Sequence, residues 1–173
     1  MASQLSSTDW DMITLHKIPS IKFLMSHPVH FLSLGLGSGL APKAPGTVGT
    51  LVGLPLFWLI SSDAFSAQLI VIASLFLLGV YWCDVTGKAL GVSDHGSIVW
   101  DEIVAMMLVL AFVPKHWLWW LLAFALFRLF DIWKPFPIRQ IDASVKGGLG
   151  VMLDDLLAAI YAIMCVKIVI WIN

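Results

Sequence analysis

Two pairs of adjacent carboxylates lie beside or inside strongly apolar stretches, where charged side chains are rare. Asp101-Glu102 precedes the apolar run 103–113, and Asp154-Asp155 lies a few residues into the run 148–172. In a lipid environment an ionised carboxylate costs at least ~2.5 kcal/mol, and an adjacent like charge adds to that cost. A divalent cation bound between the acids would offset it and keep them charged. The pattern therefore indicates a metal site.

Each acidic group also has a structural interpretation that needs no metal. Acids in the first turn of a helix are stabilised by free backbone amides and by the helix dipole, which fits Asp101-Glu102. Asp154-Asp155 would instead pair with lysine or arginine. Asp131 follows Arg128 by three residues, which favours an ion pair on one helix face. The predicted metal ligands, not all of them necessarily direct, are Asp101, Glu102, Asp131, Asp154 and Asp155, and Asp101 and Asp155 are also assigned to catalysis.

Basic residues close to these acids in sequence are suited to holding a phosphate. Lys134 and Arg139 flank the segment Pro135-Phe136-Pro137, which breaks a helix because proline lacks an amide donor. The stiff loop would present both cations at one level, and arginine suits bidentate contact with phosphate. Anchoring to anionic lipids is the competing explanation of the same charges.

A glycine-rich segment, residues 35–50, leads directly into an apolar run. It contains Lys43 and Thr47 but lacks the Gly-Lys-Ser/Thr order of a phosphate-binding P-loop. Free amides at a helix N-terminus still bind anions, so we predict that Lys43 and Thr47 help to bind the phosphate. The alternative is a re-entrant linker whose Gly49 and Gly53 allow close helix packing.

Asp94 and His95 lie in a polar stretch between two apolar runs. A histidine beside an acid can act as general acid or base, because its pKa lies near neutral pH. A solvated loop histidine without a function is the competing interpretation. We predict that Asp94 or His95 manages the proton of the reaction.

The elements that must position these residues are predicted to be membrane helices. Of the 173 residues, 60% are hydrophobic and only 12% are charged, and the mean hydropathy is +0.92. A soluble domain is about half apolar and about a quarter charged, so this chain has too little polar surface for water. The net charge of -1 argues against nucleic-acid binding, which requires a basic patch.

Five apolar runs reach, or nearly reach, the ~20 residues of a spanning helix. The predicted segments are 47–60, 67–83, 103–113 extended by 97–102, 115–130 and 148–172. Two of them attain that length only by taking the acidic pairs into the membrane. We therefore predict an all-α polytopic membrane bundle. Residues 1–30 would form an N-terminal interfacial arm, and residues 31–173 the membrane-embedded catalytic domain.

The orientation follows from the distribution of lysine and arginine. With the N-terminus in the cytoplasm, eight of the ten basic residues fall on the cytoplasmic side, and only Lys115 and Lys167 fall opposite. Most acids map to the same cytoplasmic side. The sequence therefore predicts an active site at that face of the membrane.

Acids beside cations on one membrane face suit metal-assisted phosphoryl transfer, where positive charge neutralises the developing negative charge. Magnesium suits hard carboxylate oxygens and a phosphate substrate. The attacking group is either metal-activated water or a carboxylate, and the residues leave both open. Two non-enzymatic classes compete: an ion or proton transporter, which would need polar groups reaching the outer face, and a phospholipid-binding structural protein.

Four strings of residues closely resemble the phosphatidylglycerophosphatase A family of bacteria. They begin at Gly37, Asp94, Phe127 and Gly147, and they read GSGLAPKAPGT, DHGSIVWDEI, FRLFDIWKPFPIR and GGLGVMLDD. The resemblance extends from about residue 26 to the C-terminal end. It implies a Mg²⁺-dependent phosphatase of the bacterial inner membrane, which converts phosphatidylglycerol phosphate to phosphatidylglycerol in phospholipid biosynthesis.

Overall fold

The protein is described by a computed structural model that covers residues 18–61 and 64–172. These residues form α-helices and one 3₁₀ segment, and none of them lies in a β-strand. The elements are α1 Ile21–Leu24, α2 Pro28–Ser33, the 3₁₀ segment Gly35–Leu40, α3 Pro45–Ile60, α4 Phe65–Leu90, α5 Trp100–Ala111, α6 Trp117–Trp133, α7 Ile138–Ser144 and α8 Gly147–Ile172. Residues 1–17 of the predicted arm lie outside the described residues.

Helix α5 is the centre of the bundle. Nine of its twelve residues are buried, and they include Asp101 at its N-terminal end. Helices α3, α4, α6 and α8 all contact α5, and α8 also packs against α4, α6 and α7. An acid near the start of α5 is therefore surrounded by helices rather than by solvent.

Glycines allow the helices of this bundle to approach one another closely. A Cβ atom added at Gly49 would lie 2.7 Å from Val99 Cβ, and one at Gly53 would lie 3.0 Å from the Ile103 carbonyl oxygen. Between α4 and α8, a Cβ atom at Gly148 would lie 1.9 Å from the Val80 oxygen. The close packing through Gly49 and Gly53, which is the alternative interpretation of this segment, is present in the structure.

Two of the five predicted segments have the length and composition of a membrane-crossing helix. Helices α4 and α8 contain 26 residues each, and only 22% and 28% of their most apolar parts are buried. The core helix of a soluble protein would be mostly buried, so this exposure favours lipid as the surrounding solvent. Large apolar side chains on the outer surface agree with this, because Trp58, Leu77, Ile132 and Trp171 are 71%, 70%, 71% and 87% exposed.

The other three predicted segments are shorter helices of 16, 12 and 17 residues. The expectation that residues 97–102 join the third segment is wrong for 97–99, because α5 begins at Trp100. The amide of Ser97 donates to His95 Nδ1 at 3.1 Å, and that of Val99 donates to the Ser33 oxygen at 3.1 Å. These bonds hold the backbone in a turn against α2.

The packing at Gly148 generates a stability prediction. Gly148→Ala should lower the free energy of unfolding by about 1–3 kcal/mol, because its methyl group collides with the backbone of α4. Gly96→Ala is the matched control, since a Cβ atom at Gly96 meets nothing within 4 Å. Denaturation of the two purified variants in detergent measures the difference. Equal stability of both variants would contradict the close contact between α4 and α8.

Candidate active site

The predicted metal ligands converge at one end of the bundle, although they come from three helices. Asp101, Asp154 and Asp155 are only 8%, 5% and 3% exposed. Asp101 lies within electrostatic range of Glu102, Asp154 and Asp131. Asp155 lies within range of the same groups and of Asp101 itself. We call Asp101, Glu102, Asp131, Asp154 and Asp155 the carboxylate cluster.

Four members of the carboxylate cluster have a buried oxygen without a hydrogen-bond partner in the part of the chain that the structure describes. These atoms are Asp101 Oδ1, Glu102 Oε2, Asp154 Oδ1 and Asp155 Oδ2. A buried polar atom without a partner costs ~1–3 kcal/mol, and more if it is charged. Several such oxygens from different helices form the donor set that a hard cation prefers. The chemistry of these buried oxygens therefore suits a magnesium ion.

As they are placed here, the described residues contain no group of three or more histidine, cysteine, aspartate or glutamate side chains that could hold a metal ion. Two acids of the cluster are instead paired with cations: Lys134 Nζ lies 2.5 Å from Asp154 Oδ2, and Arg128 Nη1 lies 2.5 Å from Asp131 Oδ2. The ion pairs considered as the structural alternative are thus present for Asp131 and Asp154. Within the described ranges, Asp101 and Asp155 form no salt bridge.

Arg128 joins the carboxylate cluster to the start of α3. Its Nη1 atom also lies 3.2 Å from Glu102 Oε1 and 3.4 Å from Thr50 Oγ1. Thr50 in turn donates to the Gly46 carbonyl oxygen at 2.8 Å. A Cβ atom at Gly46 would lie 1.8 Å from Glu102 Oε1, so only glycine allows this approach. The sequence indicates the Arg128–Asp131 pair by its spacing, but no pattern predicts the contacts with Glu102 and Thr50.

Lys134 ends α6 in the left-handed conformation, with φ 45°, and directs its ammonium group toward the acids. Besides Asp154, it contacts Asp142 Oδ2 at 3.2 Å. Burial acts to lower the pKa of Lys134, but the hydrogen bond with Asp154 and the nearby negative charge raise it above its ordinary value. No sequence pattern singles out Asp142, because its contact depends on how α7 folds back.

The other predicted phosphate-binding residues lie nearer the surface. Arg139 is exposed and lines the same surface groove as Lys134. Lys43 is exposed on the loop before α3, and Thr47 lies in the first turn of that helix. The structure therefore brings Lys134 and Arg139 to one groove, whereas Lys43 and Thr47 lie at the N-terminus of α3, where Gly46 meets Glu102.

His95 is not a solvated loop histidine, because it is only 3% exposed. Its Nδ1 atom accepts the hydrogen bond from the Ser97 amide, which fixes the ring beside the start of α5. Asp94 remains accessible at the surface, where it lines a small polar cavity together with Asp142. Desolvation by the surrounding protein raises the pKa of Asp94, and the charge of Lys134 opposes that shift. Both residues thus lie on the loop that leads into α5, and Asp94 is within electrostatic range of Lys134 and Asp131.

Comparison with known proteins identifies relatives of this chain. Residues 31–170 match the family model described as phosphatidylglycerophosphatase A. The phosphatidylglycerophosphatase A of Haemophilus influenzae is 50% identical over 86% of this chain and 92% of its own length. That of Escherichia coli is 42% identical over 84% of this chain and 86% of its own. No solved structure matches the chain. All the predicted site residues lie inside the matched region, and the chain belongs to the phosphatidylglycerophosphatase A family of phosphatases.

Proposed function

We propose that this protein is a Mg²⁺-dependent phosphatase that hydrolyses phosphatidylglycerol phosphate to phosphatidylglycerol and phosphate. The observation that carries the proposal is the carboxylate cluster, with its buried unpartnered oxygens beside Arg128 and Lys134. The names of the two bacterial relatives supply the substrate. The reaction would take place at the cytoplasmic face of the bacterial inner membrane.

Asp101, Glu102 and Asp155 are the residues best suited to hold the magnesium ion, because each has a buried oxygen with no hydrogen-bond partner among the described residues. Asp154 and Asp131 would join them if Lys134 and Arg128 moved to other partners. When bound, magnesium supplies positive charge that neutralises and orients the phosphate. Arg128 holds Glu102 and Asp131 in position through one guanidinium nitrogen.

The substrate phosphate would be bound by cations and amides around the carboxylate cluster. Lys134 already lies among the acids, and a phosphate oxygen would replace Asp154 as its partner. Arg139 would contribute a bidentate contact from the rim of the groove. Lys43 and the amides near Thr47 approach from the start of α3, where a helix N-terminus favours an anion.

Hydrolysis requires a proton to move as the P–O bond breaks. Water adds to phosphorus and loses a proton, and the departing glycerol oxygen gains one. His95 and Asp94 lie on the loop that leads into α5, and either of them would carry this proton at the imidazole or the carboxyl group. Because the phosphoryl group accumulates negative charge during transfer, the adjacent cations stabilise the transition state more than the ground state.

The proposed membrane arrangement has five segments, formed by α3, α4, α5, α6 and α8, with the N-terminus in the cytoplasm. At ~1.5 Å per residue, α4 and α8 exceed the ~30 Å hydrocarbon core, whereas α3, α5 and α6 do not. The distribution of basic residues supports this orientation. The short helices would leave the carboxylate cluster below the cytoplasmic surface, under the loops that hold Lys134 and His95.

Phosphate release from phosphatidylglycerol phosphate, with and without Mg²⁺, tests the proposed function. Asp101→Asn and Asp155→Asn should lower this release by at least ~100-fold, because transition-state charge loses its stabiliser. Both should also weaken Mg²⁺ binding in calorimetry. Asp84→Asn is the control and should remain near normal, since Asp84 pairs with the exposed Lys88.

Three outcomes would contradict this scheme in different ways. Equal phosphate release with and without Mg²⁺ would show that the reaction does not need the metal. Full activity of Asp155→Asn would show that Asp155 has a structural role and no part in catalysis. Substrate binding without any phosphate release would favour a lipid-binding protein over an enzyme.

The cationic residues generate a second prediction about kinetics. Lys134→Ala should lower kcat/KM by about 100-fold, as removal of one charged donor commonly does. Arg139→Lys keeps the charge but loses the bidentate fork, so it should raise KM. Lys88→Ala is the matched control, because its ammonium group lies on the surface beside Asp84. Normal kinetics in Lys134→Ala and Arg139→Ala together would overturn the assignment of both residues to phosphate binding.

The orientation generates a third prediction. In a cysteine-free background, Ser144→Cys should react with a membrane-impermeant maleimide only after the cells are permeabilised, because α7 would face the cytoplasm. Lys115→Cys should react in intact spheroplasts, since the turn before α6 would face outward. Labelling of Ser144→Cys in intact spheroplasts would reverse the proposed topology.

A further inference from the structure

An apolar cavity of about 470 Å³ lies among α4, α5 and α8. Eleven of its twelve lining residues are apolar, and Asp101 is the exception. The wall formed by α4 includes Leu77, which is 70% exposed, and Ala73, which is also exposed. The cavity therefore opens sideways, on the surface that the membrane interpretation assigns to lipid.

Asp101 connects this cavity to the carboxylate cluster. Its carboxylate lines the cavity and lies within electrostatic range of Glu102 and Asp154. Its Oδ1 atom is buried and has no hydrogen-bond partner. A molecule that fills the cavity is thus apolar along its length and meets the candidate active site at one end. A phospholipid that carries a phosphate on its headgroup has this chemistry.

The length of the cavity agrees with an acyl chain. Along α5 its lining extends from Asp101 to Phe112, the residue that caps the helix, and these eleven steps correspond to ~16 Å at ~1.5 Å per residue. This is about half of the ~30 Å hydrocarbon core, the depth of a single leaflet. Val104, Ala105 and Leu108 lie between these two ends on the same helix and keep the wall apolar.

We propose that this cavity binds an acyl chain of the phospholipid substrate and thereby positions its phosphate at the carboxylate cluster. The proposal rests on the lipid phosphatase activity proposed above. A chain that enters the cavity exchanges one apolar environment for another, so little affinity is gained from burial. The effect of binding is to orient the substrate. An acyl chain held along α5 restricts where the headgroup can lie, and this raises the rate of the reaction.

Filling the cavity tests the proposal. Ala73→Phe puts a ring into the opening, and Ser74→Phe adds the same ring at the adjacent exposed position, which does not line the cavity. Ala73→Phe should lower kcat/KM for dioleoyl phosphatidylglycerol phosphate by about tenfold or more, because a displaced phosphate reacts slowly. It should change kcat/KM for the dihexanoyl substrate much less, whereas Ser74→Phe should leave both near normal. Equal values for Ala73→Phe and Ser74→Phe on the long-chain substrate would overturn the proposal.

Photo-crosslinking separates this proposal from the activity on which it rests. Phosphatidylglycerol phosphate with a diazirine in its acyl chain should label residues 104–108 in the wild type and in Ser74→Phe, but not in Ala73→Phe. Excess unlabelled phosphatidylglycerol phosphate should suppress the labelling, whereas excess phosphatidylethanolamine should not. Equal suppression by both lipids would make the cavity an ordinary lipid contact and overturn the proposal. Specific labelling without phosphate release from the wild type would instead refute the phosphatase activity and retain the cavity.

Discussion

The cost of burying negative charge is the constraint on which the rest of this structure depends. Five acids come together where helices exclude water, and each must find positive charge or a hydrogen-bond donor. Arg128 and Lys134 supply part of that charge, and each contacts two acids. Asp101 and Asp155 receive none of it from the described residues. The negative charge of the carboxylate cluster is therefore only partly neutralised by these cations. In a set of structural ion pairs, every acid would have a cation as its partner.

The packing of the helices around the carboxylate cluster keeps these buried acids close to one another. Gly46 lets the first turn of α3 meet Glu102, and Gly148 lets α8 approach the C-terminal half of α4. Close packing keeps the acids on α5 and α8 at a common level, so that Asp101 and Asp155 interact. A larger side chain at Gly148 would push α8 away from the backbone of α4 and so displace the acids on α8.

The sequence predicts well those features that depend on local composition. The apolar runs predict α4 and α8, because their length and hydropathy need no tertiary information. The acids at 101–102 and 154–155 are conspicuous because charge is rare in such runs. The start of α5 is different, since Ser97 and Val99 are held in a turn by His95 and Ser33. The pairing of Lys134 with Asp142 and Asp154 likewise depends on the fold, because no spacing along the chain brings those residues together.

The shortness of α3 and α6 has a consequence for the surrounding lipid. With 16 and 17 residues, these helices are ~24–26 Å long at ~1.5 Å per residue, several ångströms less than a ~30 Å hydrocarbon core. In the proposed arrangement, hydrophobic mismatch would thin the adjacent bilayer and draw its headgroups inward. A phospholipid diffusing along this flank would then have its phosphate lowered toward the buried acids before it makes any specific contact. The thinned lipid around these helices would guide substrate toward the site. Membrane thickness would then control how readily substrate reaches the enzyme.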